Sequence, residues 1–205
     1  MKKISQTKDV VRYCLPYISG RVLDLGAGSA KYREIIKQKT SDYVAFDMVA
    51  GPNIDVVGNI LDLPFKDKEF DTVISTQVLE HVENPWLMIK EINRVLKENG
   101  ICILTAPFLQ PYHPDPRDFF RYTKEGLIFL FKDQGFRVIE SDYYTETVST
   151  IAEFIKFIFF DPYRKKDCGP IRRRMLRGIQ KIAKFLDRFT KSDKIYANSY
   201  IIAKK

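Results

Sequence analysis

Leu23-Asp24-Leu25-Gly26-Ala27-Gly28-Ser29 is the segment whose residue types and spacing carry the most chemistry. Two glycines one residue apart, behind a short apolar run, let a strand turn sharply and keep side chains off the turn. A ligand can then approach the backbone, and the helix N-terminus expected beyond offers unpaired N–H groups. A dinucleotide fingerprint would place a third glycine at position 31, where this chain has Lys31, and does not require the acid that Asp24 supplies. The second acid is Asp47, 19 residues beyond Gly28 at the expected end of the next strand. An acid there can accept hydrogen bonds from both hydroxyls of a ribose.

The chain has only two histidines. His81 lies in Leu79-Glu80-His81-Val82 and reads as part of a pocket wall. His113 lies in Pro107-Phe108-Leu109-Gln110-Pro111-Tyr112-His113-Pro114-Asp115-Pro116-Arg117-Asp118, a stretch stiffened by prolines. An imidazole titrates near pH ~6.5 and can take a proton from a hydroxyl acceptor, so His113 is the candidate general base. Asp115 is the candidate for orienting it or for binding the acceptor. Arg117, Arg121 and Tyr122 are candidates for holding a carboxylate or phosphate on the substrate. The plain alternative is that Phe119 to Thr123 is a helix entry packed on the core. Ligand spacing for a metal is absent, so none is expected.

The elements that must position these residues alternate between strand and helix. Strands are expected at 21–25, 43–46, 54–57, 72–75, 101–104 and 137–141 from their apolar runs. Helices are expected over 8–19, kinked at Pro16, over 30–38, and over 85–96, with Pro85 in its first turn and Asn99-Gly100 closing it. A further helix over 124–133 is capped by Thr123. This rhythm predicts a parallel sheet covered on both faces, with the ligand site at the carboxyl ends of the strands. After residue 145 two helical stretches, 146–160 and 171–189, precede a last strand at 196–203. Residues 1–205 are therefore expected to form one domain with a helical insertion over 146–194.

With these blocks in order, the chain resembles class I S-adenosylmethionine (SAM)-dependent methyltransferases. The resemblance rests on Val22 to Gly28, Asp47, Gly58-Asn59-Ile60-Leu61-Asp62-Leu63-Pro64-Phe65, Glu69 to Ser75, Leu79 to Val82, and Glu91 to Gly100. It covers residues 20 to about 108 and is closest to the small-molecule "methyltransferase domain 11"-like branch. That resemblance implies a Rossmann-like α/β fold: six parallel strands and an antiparallel seventh, with the helical insertion before it. It implies SAM as cofactor. Asp24, Gly26, Ala27 and Gly28 would face its methionine end, and Asp47 would hold the ribose. Met48 would pack near the adenine, Asn59 would meet the adenine amino group, and the Ile60 backbone N–H would reach the ring. Thr76 and Gln77 would lie beside the cofactor, and His81 would begin the pocket wall. The implied activity is methyl transfer, read here as O-methylation of a small or lipid-linked metabolite. The alternatives are a nicotinamide (NAD)-dependent oxidoreductase, which shares the sheet and ribose acid, and a cofactor-binding protein without turnover.

Composition bounds the rest. At 205 residues and 45% hydrophobic content, the chain can build a core without staples. Its three cysteines form no disulfide framework and fit a reducing, cytoplasmic setting. Neither a signal peptide nor a membrane span is read. Base methylation of nucleic acid is disfavoured, because Ser75-Thr76-Gln77-Val78 stands where such enzymes carry Asn/Asp-Pro-Pro-aromatic. The net charge of +8 arises entirely within 163–194, which hold twelve Lys or Arg against three Asp. A basic, amphipathic segment of this kind either packs its apolar side on the sheet with its charges solvated, or serves as a lid over an anionic substrate, a ligand for a partner's groove, an RNA contact or an anionic-membrane contact; a peripheral place at the inner membrane face follows if it docks on membrane.

Overall fold

The computed structural model describes residues 4–159, 170–190 and 192–205. Its strands are β1 (Val22–Leu25), β2 (Tyr43–Asp47), β3 (Val56–Val57), β4 (Phe70–Thr76), β5 (Leu96–Pro107), β6 (Arg137–Tyr144) and β7 (Asn198–Lys204). They form one sheet in the order β3-β2-β1-β4-β5-β7-β6. Strands β1 to β5 pair in parallel, and β7 lies antiparallel between β5 and β6. The fold is the Rossmann-like class I arrangement expected from the sequence.

Both faces of the sheet are covered, which is why β1 is buried along its whole length. Leu23 and Leu25 of β1 point into the larger core, against Met88, Ile89 and Ile92 of α3 (Pro85–Val95) and Leu127 and Phe131 of α4 (Lys124–Asp133). Val22 points the other way, with Ile74 and Ile103, against Val10 and Val11 of α1 (Thr7–Tyr13) and Ile36 of α2 (Arg33–Ile36). The two cores thus follow from the period-two alternation of strand side chains. Asn84 caps α3 by accepting the Leu87 N–H at 3.1 Å, and Thr123 caps α4 by accepting the Gly126 N–H at 3.0 Å.

The largest departures from expectation fall at four elements. Helix α1 stops at Tyr13, and Pro16 sits in a separate 3-10 turn, Leu15–Tyr17. Helix α2 is one turn long, not nine residues, because Gly28 and Ala30 adopt left-handed backbone at φ +57° and +53°. Strand β3 shrinks to two residues. Strand β5 begins at Leu96, with Asn99 at φ +66° making the bend that was read as a helix stop.

Two helices, α5 (Thr147–Phe159) and α6 (Pro170–Leu186), stand between β6 and β7. Asp187 ties them: it accepts the Val148 and Ser149 N–H groups and the Ser149 hydroxyl at the start of α5. The pair hides little apolar surface. Ile158, Phe159, Met175, Ile182 and Phe189 are all more than 60% exposed. The ends of the expected helices at Phe160 and Ile171 lie outside the described side chains.

Candidate cofactor and acceptor site

The two glycines of the β1 turn do different work. Gly26 has φ +76°, and a Cβ there would lie 2.4 Å from a Val78 methyl, so this glycine lets the β4 loop pack against the turn. Gly28 has φ +57°, and a Cβ there would meet nothing within 4 Å. Its open side is where a ligand can lie against the backbone. The turn's N–H groups are already committed: Gly26 and Ala27 donate to the Phe46 carbonyl, and Gly28 donates to the Asp47 carboxylate at 2.8 Å. The expected anion-binding helix N-terminus does not form, since α2 starts five residues later and is a single turn.

Asp47, at the carboxyl end of β2, accepts from Gly28 on Oδ2 and from the Val49 N–H on Oδ1 at 3.1 Å. An ionised carboxylate has about four acceptor positions, so two remain. These bonds fix its rotamer and hold it beside the open face of Gly28. Met48 and Val49, 64% and 65% exposed, offer apolar surface next to it. On the neighbouring loop, Asn59 accepts the Leu61 N–H at 2.9 Å, while the Ile60 N–H donates to no group among the described residues. The residues present therefore fit a nucleoside: a preset carboxylate for a diol, an apolar shelf and a free N–H.

Asp24 is almost wholly buried, at 3% exposure, and accepts the Tyr43 hydroxyl at 2.5 Å. Burial outweighs that bond and the Arg33 and Lys31 charges, and pushes its carboxyl up to about 6. The raised folded value has a sign: ionising Asp24 disfavours the folded state. Stability contributed by its neutral form is lost as pH rises from about 4 through about 6, at a cost near 3 kcal/mol for a shift of this size. Asp24→Asn is therefore expected to melt several degrees above wild type at pH 8 and to show no such gain at pH 4. Paired thermal melts across that range check it; an equal difference at both pH values would contradict it.

At the end of β4, Gln77 has φ +56° and turns inward. Its N–H donates to Thr105, and its side-chain amide donates to the Thr105 hydroxyl at 3.2 Å and the Tyr144 hydroxyl at 3.1 Å. These bonds fix its side chain against β5 and β6, while Thr76 stays at the strand's end opposite Thr105. The following 3-10 turn, Leu79–His81, places Glu80 in full burial and His81 partly exposed. His81 Nδ1 lies 2.5 Å from the Arg117 carbonyl, tying this turn to the loop after β5.

That loop departs most from expectation. His113 stacks edge-on to His81 with ring centres 5.3 Å apart. Its Nε2 faces the buried Glu80 at 3.8 Å, beyond hydrogen-bond reach. The Glu80 carboxylate, chiefly, holds it above the ordinary imidazole range. Asp115 is exposed and has no bond to the ring; Asp118 accepts the His113 backbone N–H at 2.8 Å and so holds the loop at this point. Burial works to raise the Asp118 carboxyl, but Arg121 and the His113 N–H outweigh it and hold it below the usual range. Arg121 is spent on Asp118 and on the Gln110, Pro111 and Phe120 carbonyls, so it braces the loop and has no donor to spare for substrate. Tyr122 is buried with its hydroxyl 3.5 Å from the Leu79 carbonyl. Of the three expected substrate binders, only Arg117 is exposed, near Glu83.

A cavity of about 500 Å³ opens beside the β6 and β7 ends, lined among others by Gln6, Gln110, Tyr144, Ser149, Lys184 and Asn198. Tyr144 links it to the β4 turn, its hydroxyl bonded to Gln77 and lying 3.0 Å from the Thr7 hydroxyl. The sequence reading missed this wall. Its only signal was the position of the insertion, directly after β6.

Residues 23–104 match the family model described as a methyltransferase domain. An uncharacterized protein of Methanocaldococcus jannaschii is 29% identical over 145 residues, covering 63% of this chain and 69% of that protein. An uncharacterized methyltransferase of a Mycobacterium species is 32% identical over 94 residues, covering 41% of this chain and 37% of that protein. The chain therefore spans little more than a third of the mycobacterial relative. Among solved structures, a SAM-dependent methyltransferase from Archaeoglobus fulgidus superposes with a TM-score of 0.65 at 21% identity, covering 97% of this chain and 93% of that one. The matched residues contain the glycine turn, Asp47, Asn59 and the Glu80-His81 pair, so residues 23–104 match a methyltransferase domain and the chain shares the fold of SAM-dependent methyltransferases.

Proposed function

We propose that this protein binds SAM across the β1, β2 and β4 ends and transfers its methyl group to oxygen on a small or lipid-linked metabolite. One observation carries the cofactor half: Asp47 is held rigidly by Gly28 and Val49, with two acceptor positions left beside the open side of Gly28. In-line transfer needs the acceptor held near the sulfonium while water is excluded. The polar cavity along Tyr144 suits a hydroxylated acceptor, and Asp24, once ionised, suits the cation of the methionine end. His113 and Arg117 then act from the loop facing that acceptor, with Asp115 at its exposed tip. A nicotinamide reading finds no support in the turn, where Lys31 replaces the third glycine.

The lipid-linked option is supported by α5 and α6. No described helix is long and apolar enough to cross a membrane. Yet exposed Ile158, Phe159, Met175, Ile182 and Phe189 stand beside the Lys and Arg of a strongly basic segment. Each basic residue near an anionic surface adds about 1 kcal/mol, and inserted apolar side chains add to it. One assay checks both halves: radiolabelled SAM is incubated with a metabolite and lipid extract, with and without anionic vesicles. Label in an acceptor, with protein sedimenting on the vesicles at low salt, is the expected result. Cofactor binding without any labelled product would favour a binding protein lacking turnover.

A further inference from the structure

Glu80 is fully buried, and neither of its carboxylate oxygens has a hydrogen-bond partner among the described residues. A buried, unanswered carboxylate costs several kcal/mol, so this position calls for a cation. The atoms that face it are the two imidazole nitrogens. His81 Nε2 and His113 Nε2 lie 3.7 and 3.8 Å from the same oxygen, Oε1, too far for hydrogen bonds.

The other nitrogen of each ring settles what these two can do. His81 Nδ1 is 2.5 Å from the Arg117 carbonyl, and His113 Nδ1 is 2.8 Å from the Pro111 carbonyl. A carbonyl only accepts, so each Nδ1 carries the proton, and in the neutral ring each Nε2 presents a lone pair. Arg121 Nη2, 3.3 Å from His113 Nδ1, already donates to Asp118 and Pro111. Two lone pairs and a carboxylate therefore converge with no hydrogen among them. Imidazoles that hold a metal characteristically anchor their second nitrogen on a carbonyl or carboxylate in this way.

We propose that Glu80, His81 and His113 bind a divalent transition-metal ion of zinc, iron(II) or cobalt(II) type. Two imidazoles and one carboxylate match those borderline ions, whereas magnesium favours all-oxygen sites. The three ligand atoms lie within 4.8 Å of one another. Ligand atoms about 2.1 Å from a tetrahedral ion stand roughly 3.4 Å apart, so small side-chain rotations close the set. Three protein ligands leave a position for water or for an oxygen of a bound molecule. The histidine side chains keep 16% and 20% exposure, which gives that position a way in. This reverses the expectation of no metal: the third ligand comes from a loop beyond β5, so no local spacing announces it.

The chain's only two histidines are both in this cluster, so imidazole-bound metal reports on it alone once any expression tag is removed. Chelator-stripped full-length protein is titrated with cobalt(II) chloride and followed by visible absorption and calorimetry. One equivalent should bind with micromolar or tighter affinity, and His113→Ala and His81→Ala should each weaken it at least 100-fold. These partly exposed positions carry the test, since Glu80 is too buried for a safe substitution. No saturable binding to wild type, or unchanged affinity in His113→Ala, overturns the proposal; a hydrogen-bonded imidazolium–carboxylate cluster would give that result. S-adenosylhomocysteine titration of the same stripped samples reads the cofactor site separately, so loss of one binding event does not count against the other.

Discussion

Asp47→Ala should weaken S-adenosylhomocysteine binding by about 100-fold. The carboxylate is preset by the Gly28 and Val49 N–H groups, so it meets a ribose diol without reordering. Hydrogen bonds to a charged group contribute about 1.5–3 kcal/mol each, and losing two from the diol gives roughly 3 kcal/mol or more, which is that fold-change. The turn also loses the acceptor for Gly28, so the open face beside it becomes less defined. Asp47→Asn should fall between the two, because an amide keeps one acceptor oxygen and offers the diol a donor instead. Calorimetric titration of the three proteins checks this. An affinity within threefold of wild type in Asp47→Ala would remove Asp47 from the cofactor site.

Gly26→Ala should lower the melting temperature by about 6–12 °C, whereas Gly28→Ala should lower it by only a few degrees. Both positions need left-handed backbone, which costs an alanine about 1 kcal/mol. Only Gly26 adds a collision, with a Val78 methyl at 2.4 Å and a second at 2.9 Å. Val78 is β-branched and stiff at χ1, so relief must come from backbone movement costing a further 1–3 kcal/mol. At about 2–4 °C per kcal/mol for a chain of this size, the sum gives the larger drop. Gly28→Ala instead places its methyl on the face open to ligand, so its larger effect should be on S-adenosylhomocysteine affinity. Thermal melts paired with titrations read both. Equal melting temperatures for the two variants would show that Val78 yields.

Much of the architecture was legible because it is local. Apolar runs of four or five residues gave the strands, and Pro85 and Thr123 marked two helix starts by dispensing with or satisfying their first N–H groups. The glycine turn and Asp47 were legible because parallel pairing of β1 and β2 brings adjacent strand ends together whatever the intervening loop does. Helix α2 was not, since its shortening follows from left-handed backbone at Gly28 and at Ala30, and an alanine's residue type does not announce that conformation.

The amino-acid sequence by itself determined the order of elements, the parallel sheet and the position of the two acids at its carboxyl edge. Tertiary structure alone decided which side chains of the long loops meet. Asp115 and Asp118 are equally acidic in sequence, yet only Asp118 folds back on His113, because Arg121 clamps it there. Glu80 and His113 are 33 positions apart and belong to different loops. They face each other because β4 and β5 are neighbours in the sheet and both loops leave the same edge. Contact across such a distance depends on strand order and loop path, which no spacing rule along the chain contains.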